Sequence, residues 1–456
     1  MDDNAVSPYP RCADAAEFFA RRMRAFADAN PAVAALESRF LEAGVDILTL
    51  VDHWTLPASP DLAEDLRTWG FVEEALDGGT ARAWAHPLAR LPRVRLDAQV
   101  AEPRLALAVE AVGDFLKRSG LPDEGRAGDD DSAYETAEVA VPVGRLSVVA
   151  RRGYRGFQPG WLDGAGYAAL ADARAAFRAR PRAGSEADVV AEAAQRFAGA
   201  AERLGRGRAV EEFFAAERDY YLARNAAARW QYDRQQTLGI GWANHDHHTY
   251  RSSRPGFRAL MRLWQTMGFS FRERFYAGAE AGWGAQILEH PESRVILFCD
   301  VDMSPEELDV DFRETLLAPR DTLGTIGLWC ALHGSSIAAA GMHHIECEFD
   351  FARCEADYRA AGFGVMKPFT DLPMLKQAFT EPEIWPVAPE RLADLRARGA
   401  ITPAQADAFA RDGAAGSHLE ILQRWEGFKG FNKTGVSAIS LETDARRRAA
   451  GRPFPG

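Results

Sequence analysis

From residue 243 onward one order of secondary structure is written twice, and that repetition restricts the fold more than any other feature of the chain. ANHDHHTYR at 243–251 reads as a strand, RPGFRALMRLWQTMG as a helix, and FSFRERFYAG, WGAQILEH and RVILFCDVD as three further strands. From 342 the order begins again: MHHIECEFD, the helix FARCEADYRAAG, the extended GVMKPFTDL, a less regular insert and finally SHLEILQRW. The residues differ, but a strand, a helix and three strands used twice is an internal repeat of one supersecondary unit. Two βαβββ units predict an α+β architecture of paired modules. They would form a curved sheet around a metal cup, with additional helical elements outside.

The remainder divides around that core. Residues 1–165 read as a mixed α/β region, with helices over 14–42 broken near Asn30-Pro31, a strand at 45–57 and a helix at 60–75. Short extended segments follow at 82–98 and 138–151, with a helix near 103–119 between them. Residues 166–240 are alanine-rich and charged and predict a helical bridge. The catalytic pair spans 241–441, and 442–456 form a tail. Its insert, 371–417, holds a helical segment DLPMLKQAF and a second, TPAQADAFARDG, with Thr402 as cap and Pro403 in the first turn.

Strand alternation sorts side chains onto faces. His245, His247, Thr249 and Arg251 share one face of the first strand, and Asp246, His248 and Tyr250 the other. His344, Glu346 and Glu348 lie together in the strand at 342. In the last strand His418, Glu420, Leu422 and Arg424 share a face. A glutamate between Leu419 and Ile421 is costly unless paired or bound to a cation. Taking His247, His344 and Glu420 together gives two imidazoles and a carboxylate, the facial set that holds iron(II) with three positions open. Arg251, four residues after His247, would bind a substrate carboxylate. His245, Glu346 and Arg424 would support the ligands from behind. The plainer readings stand beside these. Each histidine could be an ordinary hydrogen-bonded one, Glu420 could pair with Arg424 or Arg251, and Arg251 could pair with Glu346 or Glu348. His53 in LVDHWTL resembles a ligand strand but has no matching carboxylate, which favours a structural role.

Composition narrows the partners. A formal charge of −12, with no basic stripe carrying interleaved aromatics, argues against nucleic acid. No apolar run of 18 or more residues predicts a membrane span. The five cysteines have no CxxC spacing and MDDNAVSPYP does not look like a signal peptide, so a cytoplasmic setting is expected. DGGTARA at 77–83 and GRGR at 205–208 lack the strand and lysine of a phosphate loop.

The tail HLEILQRWEGFKGFNKTGVSAI resembles the closing strand and helix of 4-hydroxyphenylpyruvate dioxygenases, in the vicinal-oxygen-chelate superfamily. There a glutamate in an E-I-[IL]-Q-R context binds iron. The resemblance implies the metal carboxylate at Glu420, a first ligand strand at Asp246-His247 and a second at His343 to Glu346 with its ligand at His344. It covers roughly 243 to 441, and the segment GFNKTG departs from the family's GxGN. The chain is also similar to 2-oxoadipate dioxygenase/decarboxylases in length, in the His-x-x-x-Arg of His247 and Arg251, and in RARGAITP at 396–403. That relative would set the carboxylate ligand nearer Glu390; the strand context favours Glu420. The resemblances imply an Fe(II)-dependent dioxygenase that takes a 2-oxo acid and O2, decarboxylates it and hydroxylates the product, with 2-oxoadipate to 2-hydroxyglutarate as the example. The alternatives are a 4-hydroxyphenylpyruvate-type or extradiol dioxygenase, a metal-dependent isomerase, or a binding module for a small acid without turnover.

Overall fold

The computed structural model describes residues 8–74 and 81–455, so the glycines of DGGT and the first seven residues lie outside the described part. Helices α1 (Ala13–Ala29) and α2 (Pro31–Glu42) break at Asn30, where Pro31 occupies the first helical turn and loses no hydrogen bond. Then come β1 (Val51–Pro57), α3 (Pro60–Thr68), β2 (Val72–Glu74), β3 (Arg82–Ala85) and β4 (Arg93–Asp97). After them stand β5 (Arg104–Ala108), α4 (Val112–Ser119), β6 (Tyr134–Ala140) and β7 (Arg145–Arg151). These strands make one seven-stranded sheet, β2-β3-β4-β1-β5-β7-β6. The helix expected at 103–119 is therefore half strand. RLALA pairs on both sides, with β1 and β7, and the helix starts only at Val112. Two-sided ladder pairing outweighs the helix propensity of leucine and alanine.

Helices α5 (Gly164–Arg178), α6 (Glu186–Leu204), α7 (Arg206–Leu222) and α8 (Ala226–Thr237) fill the bridge. The second sheet begins with β8 (His245–Arg251), α9 (Arg254–Met267), β9 (Ser270–Tyr276), β10 (Trp283–Glu289) and β11 (Ile296–Asp302). Helix α10 (Thr325–His333) leads to β12 (His344–Glu348), α11 (Phe351–Ala360), β13 (Thr370–Leu372) and β14 (Leu375–Phe379). The chain continues through β15 (Ile384–Trp385), α12 (Pro389–Ala397), α13 (Pro403–Asp412) and β16 (Ala414–Ala415) to β17 (His418–Arg424) and α14 (Lys433–Glu442). Eight strands join as β13-β14-β17-β12-β8-β11-β10-β9. In each module the first and last strands are parallel neighbours, β8 with β11 and β12 with β17, and the modules meet where β8 and β12 run antiparallel.

The paired βαβββ arrangement is thus present, in two large mixed sheets. DLPMLKQAF is not a helix but the hairpin β13–β14. Pro373 and Met374 turn the chain, and residues 375–379 pair antiparallel with β17. Helix α13 keeps the expected start, with Thr402 and Gln405 forming a reciprocal capping box. The N-terminal sheet repeats the same plan, β1-α3-β2-β3-β4 joined through β1 and β5 to the shorter β5-α4-β6-β7. The outer face of β8 buries His248 and Tyr250 against Phe214 and Trp264 of α7 and α9.

Candidate metal centre

Strand β8 does not alternate cleanly. His247 lies opposite Glu346 of β12, but His245 lies opposite Cys347, so Asp246 is an extra residue in the ladder. Such a bulge re-aims side chains. Asp246 joins the side of His247, with one oxygen 3.2 Å from His247 Nδ1 and 3.1 Å from the Arg424 guanidinium. Its other oxygen is 2.7 Å from Arg90, which also reaches Glu348 at 2.5 Å and ties the N-terminal half to this site. The same bulge turns His245 away. Its Nδ1 is 2.9 Å from the Trp242 carbonyl and its ring packs on His248. The shared face expected for His245 and His247 is corrected accordingly, and the expected opposition of Asp246 with it.

His247 on β8, His344 at the start of β12 and Glu420 on β17 come together. Each offers a ligand atom, and these atoms lie within 4.8 Å of one another. His344 Nε2 is 3.1 Å from Glu420 Oε2 and 2.8 Å from the Thr249 hydroxyl. Glu346 is 2.9 Å from His247 Nδ1, and the Gln377 amide donates to Glu346 at 3.0 Å and to Glu420 at 2.9 Å. Arg424 lies 3.4 Å from Glu346. Among the described residues Glu420 forms no ion pair with Arg424 or Arg251. Glu390 stands apart, in the first turn of α12, on a separate cavity. On the far side of His344, its Nδ1 lies 3.0 Å from His343 Nδ1 and 3.1 Å from His418 Nε2. His343 and His418 were not foreseen as neighbours of a ligand, nor were Arg90 and Gln377.

The charges around this point do not cancel. Asp246, Glu346, Glu348 and Glu420 are buried carboxylates, faced by the guanidinium groups of Arg90 and Arg424. With all four ionised there is an excess of two negative charges, which a buried site does not tolerate uncompensated. Protons make up the difference in the metal-free chain. Burial disfavours the His247 imidazolium, but Glu346 and Asp246 overcome it and push the group up to about 10. Burial and the neighbouring Glu420 push Glu346 well up, and burial raises Glu420. Asp246 stays ionised: burial opposes it, yet Arg424 and Arg90 hold it well below the usual carboxylate range. Burial, with His247 and Arg251 nearby, keeps His344 neutral. A divalent ion at His247, His344 and Glu420 would supply the missing charge and displace those protons. The donor set and the charge deficit both fit such an ion.

Arg251 lies farther along the same face of β8. It is buried, with Nε 3.8 Å from Asp300 and without a hydrogen-bond partner, and its guanidinium lies 5.3 Å from the Trp329 ring. Neither Glu346 nor Glu348 is its partner. Asp300, across from it on β11, is pushed up to about 7 by burial, against the pull of Arg251 and His247. Phe298 covers His247 at 4.2 Å between ring centres, and Phe431 packs on Phe298 and Phe275. The inner side therefore offers an aromatic lining, a candidate metal position and one underpaired guanidinium.

No family model and no curated protein matches the sequence. Among solved structures, a triple mutant of 4-hydroxymandelate synthase from Streptomyces coelicolor aligns over 87% of this chain and 98% of its own, at 11% identity and a TM-score of 0.29. Methylmalonyl-CoA epimerase from Mycobacterium tuberculosis aligns over 40% of this chain and 88% of its own, at 10% identity and a TM-score of 0.23. A xylose isomerase-like TIM barrel/4-hydroxyphenylpyruvate dioxygenase fusion protein aligns over 88% of this chain and 53% of its own, at 13% identity and a TM-score of 0.27. Superpositions this loose carry no argument about chemistry, which rests on the side chains. No helix among the described residues is long and apolar enough to cross a membrane.

Proposed function

We propose that the chain is a mononuclear non-haem Fe(II) dioxygenase acting on a small 2-oxo acid. The observation that carries this reading is the convergence of His247, His344 and Glu420 in a buried cluster that lacks two positive charges. Two imidazoles and one carboxylate leave a face open for substrate and oxygen. Iron(II) held there would supply oxygen activation, for a net reaction in which a 2-oxo acid and O2 give CO2 and a hydroxylated acid one carbon shorter.

The chain's own residues perform the rest. Gln377 bridges Glu420 and Glu346 with one amide, and Thr249 faces His344. Arg424 and Arg90 keep Asp246 ionised, so that it accepts the Nδ1 proton of His247 and leaves Nε2 free as a donor. Arg251 takes a second carboxylate of the substrate, which favours a dicarboxylic 2-oxo acid such as 2-oxoadipate. The aromatic lining from Phe298 and Phe431 favours the second reading, a 4-hydroxyphenylpyruvate-type substrate with a ring in that space.

Anaerobically purified protein, reconstituted with Fe(II), is expected to consume oxygen and release CO2 with one 2-oxo acid of an aliphatic and aromatic panel. Oxygen uptake without CO2 would point to ring cleavage, and turnover without oxygen to a metal-dependent isomerase. A protein that binds the acid with no metal and no turnover would be a binding module.

A further inference from the structure

We propose that a second small-molecule site, for a multivalent oxyanion, lies behind the aromatic wall of the cup. It is a cavity of about 470 Å³ between the start of α8, the end of α10 and the segment around Trp385, and three arginines line it: Arg224, Arg229 and Arg391. In a chain with a net charge of −12 most buried guanidinium groups sit on carboxylates, as Arg180 does on Glu217 at 2.8 Å. These three do not. Arg229 donates to the Leu222 carbonyl at 3.0 Å and Arg391 to the Ala331 carbonyl at 3.1 Å. The Arg224 guanidinium has no hydrogen-bonded or carboxylate partner among the described residues, and its Nε is buried.

Arg224 is nonetheless held in place. Its guanidinium lies 4.2 Å from the Trp385 ring and 5.4 Å from that of Tyr220, and the Trp385 indole N–H lies 3.4 Å from the Arg224 carbonyl. A guanidinium stacked on aromatic faces keeps its edge donors free and loses little freedom on binding an oxyanion. The one carboxylate on the cavity, Glu383, is turned to the start of α8, where it accepts the Ala226 N–H at 2.6 Å. His333 lines the same cavity and stays neutral near pH 7, held at about 4 by burial with Arg224 and Arg391 adding to the effect, so the positive charge there comes from the arginines. Three guanidinium groups against one occupied carboxylate select a ligand with at least two negative charges, a phosphate ester or a di- or tricarboxylate. Trp385 and His333 both pack on Trp329, whose ring faces Arg251, so this site and the cup share one wall.

Calorimetric titration of the full chain with inorganic pyrophosphate and, separately, with citrate at constant ionic strength tests this. One site per chain is expected for at least one of them, and which one binds separates phosphate from carboxylate chemistry. Arg224→Met and Arg391→Met should each weaken it about tenfold or more, while metal content stays unchanged. Arg229→Met, at an exposed position, covers the case in which the other variants fold poorly. It should weaken binding by a smaller factor. No heat from either anion at millimolar concentration, or unchanged affinity in all three variants, would overturn the proposal.

Discussion

In the N-terminal sheet a bulge at Asp52 sets that residue beside His53, just as the bulge at Asp246 sets it beside His247. The parallel extends further. Arg151, last residue of β7, binds Asp52 through Nε and Nη2 at 2.7 and 3.0 Å, and its Nη1 holds the Tyr154 and Gly156 carbonyls of the segment that follows. Arg424, last residue of β17, binds Asp246 at 3.1 Å and holds the Phe428 and Gly430 carbonyls. One device, a bulged aspartate locked by an arginine that also anchors the closing segment, is built twice. The ligand positions differ. Strand register places Arg104 where the second sheet has His344, and Ser147 where it has Glu420. Phe157 packs against His53 and sits among Arg93, Arg95 and Arg151, with guanidinium carbons 4.4 to 4.7 Å from its ring. The first half is a cup filled by an aromatic ring and cations. The second holds four buried carboxylates against the two guanidinium groups of Arg90 and Arg424. The aspartate–arginine device is therefore a property of the scaffold, and the candidate ligand set occurs in one copy of it.

That contrast can be broken most directly at the ligands. His344→Ala or Glu420→Ala should lower metal affinity by at least about a hundredfold. His53→Ala should leave the stoichiometry untouched, and metal analysis after desalting checks both. Next in size are the arginines. Arg424→Met leaves Asp246 and Glu346 short of a buried partner and should cost about 3–5 kcal/mol in the metal-free chain. Arg151→Met should cost less, about 2 kcal/mol, because Arg151 pairs with one carboxylate where Arg424 faces two. Denaturant unfolding with and without a divalent ion should show the Arg424 loss reduced by the ion and the Arg151 loss unaffected.

The two histidines should also give opposite pH responses in the metal-free protein. Burial holds His53 at about 4, below the ordinary 6.5 of a histidine, although Asp52 pulls the other way. The folded chain then binds fewer protons than the unfolded one between those values. The contribution from His53 is full above about 6.5 and lost as pH falls toward 4. His247, pushed up to about 10 in the folded chain, contributes fully below about 6.5, and that contribution is lost as pH rises through 10. Thermal unfolding of His53→Phe and His247→Phe against pH should remove the acid limb and the alkaline limb respectively. The smallest effect expected is at the matching threonines. Thr249→Val removes a hydroxyl 2.8 Å from His344 and should cost about 1 kcal/mol. Thr55→Val, facing Arg104 across the ladder, should be close to neutral.

Much of the second sheet was legible because its modules are spelled by strong periodicities: an amphipathic helix such as 254–267 between strands with turn residues at their ends. The convergence of His247, His344 and Glu420 followed from strand faces, since all three lie where alternation is regular. Asp246 and His245 were misplaced because a bulge has no residue signature, and one extra residue reverses every face before it. The first sheet's repeat is not legible in the sequence because β2 to β5 are three to five residues long, too short for period two to show. One signal was available: Asp-His-Trp-Thr at 52–55 and Asp-His-His-Thr at 246–249. Gln377 was hidden by a segment whose leucines and alanine suit a helix, and only pairing with β17 makes it a strand.

One dication bound by His247, His344 and Glu420 is expected to replace protons carried by His247, Glu346 and Glu420, since His344 is already neutral. Titrating metal-free protein with Fe(II) under anaerobic conditions, in buffers of differing ionisation enthalpy, measures stoichiometry and proton release together. One equivalent bound with release of at least one proton near neutral pH, both lost in Glu420→Ala and both kept in His53→Ala, is the predicted result. Binding that persists in Glu420→Ala, or that releases no proton, would contradict it.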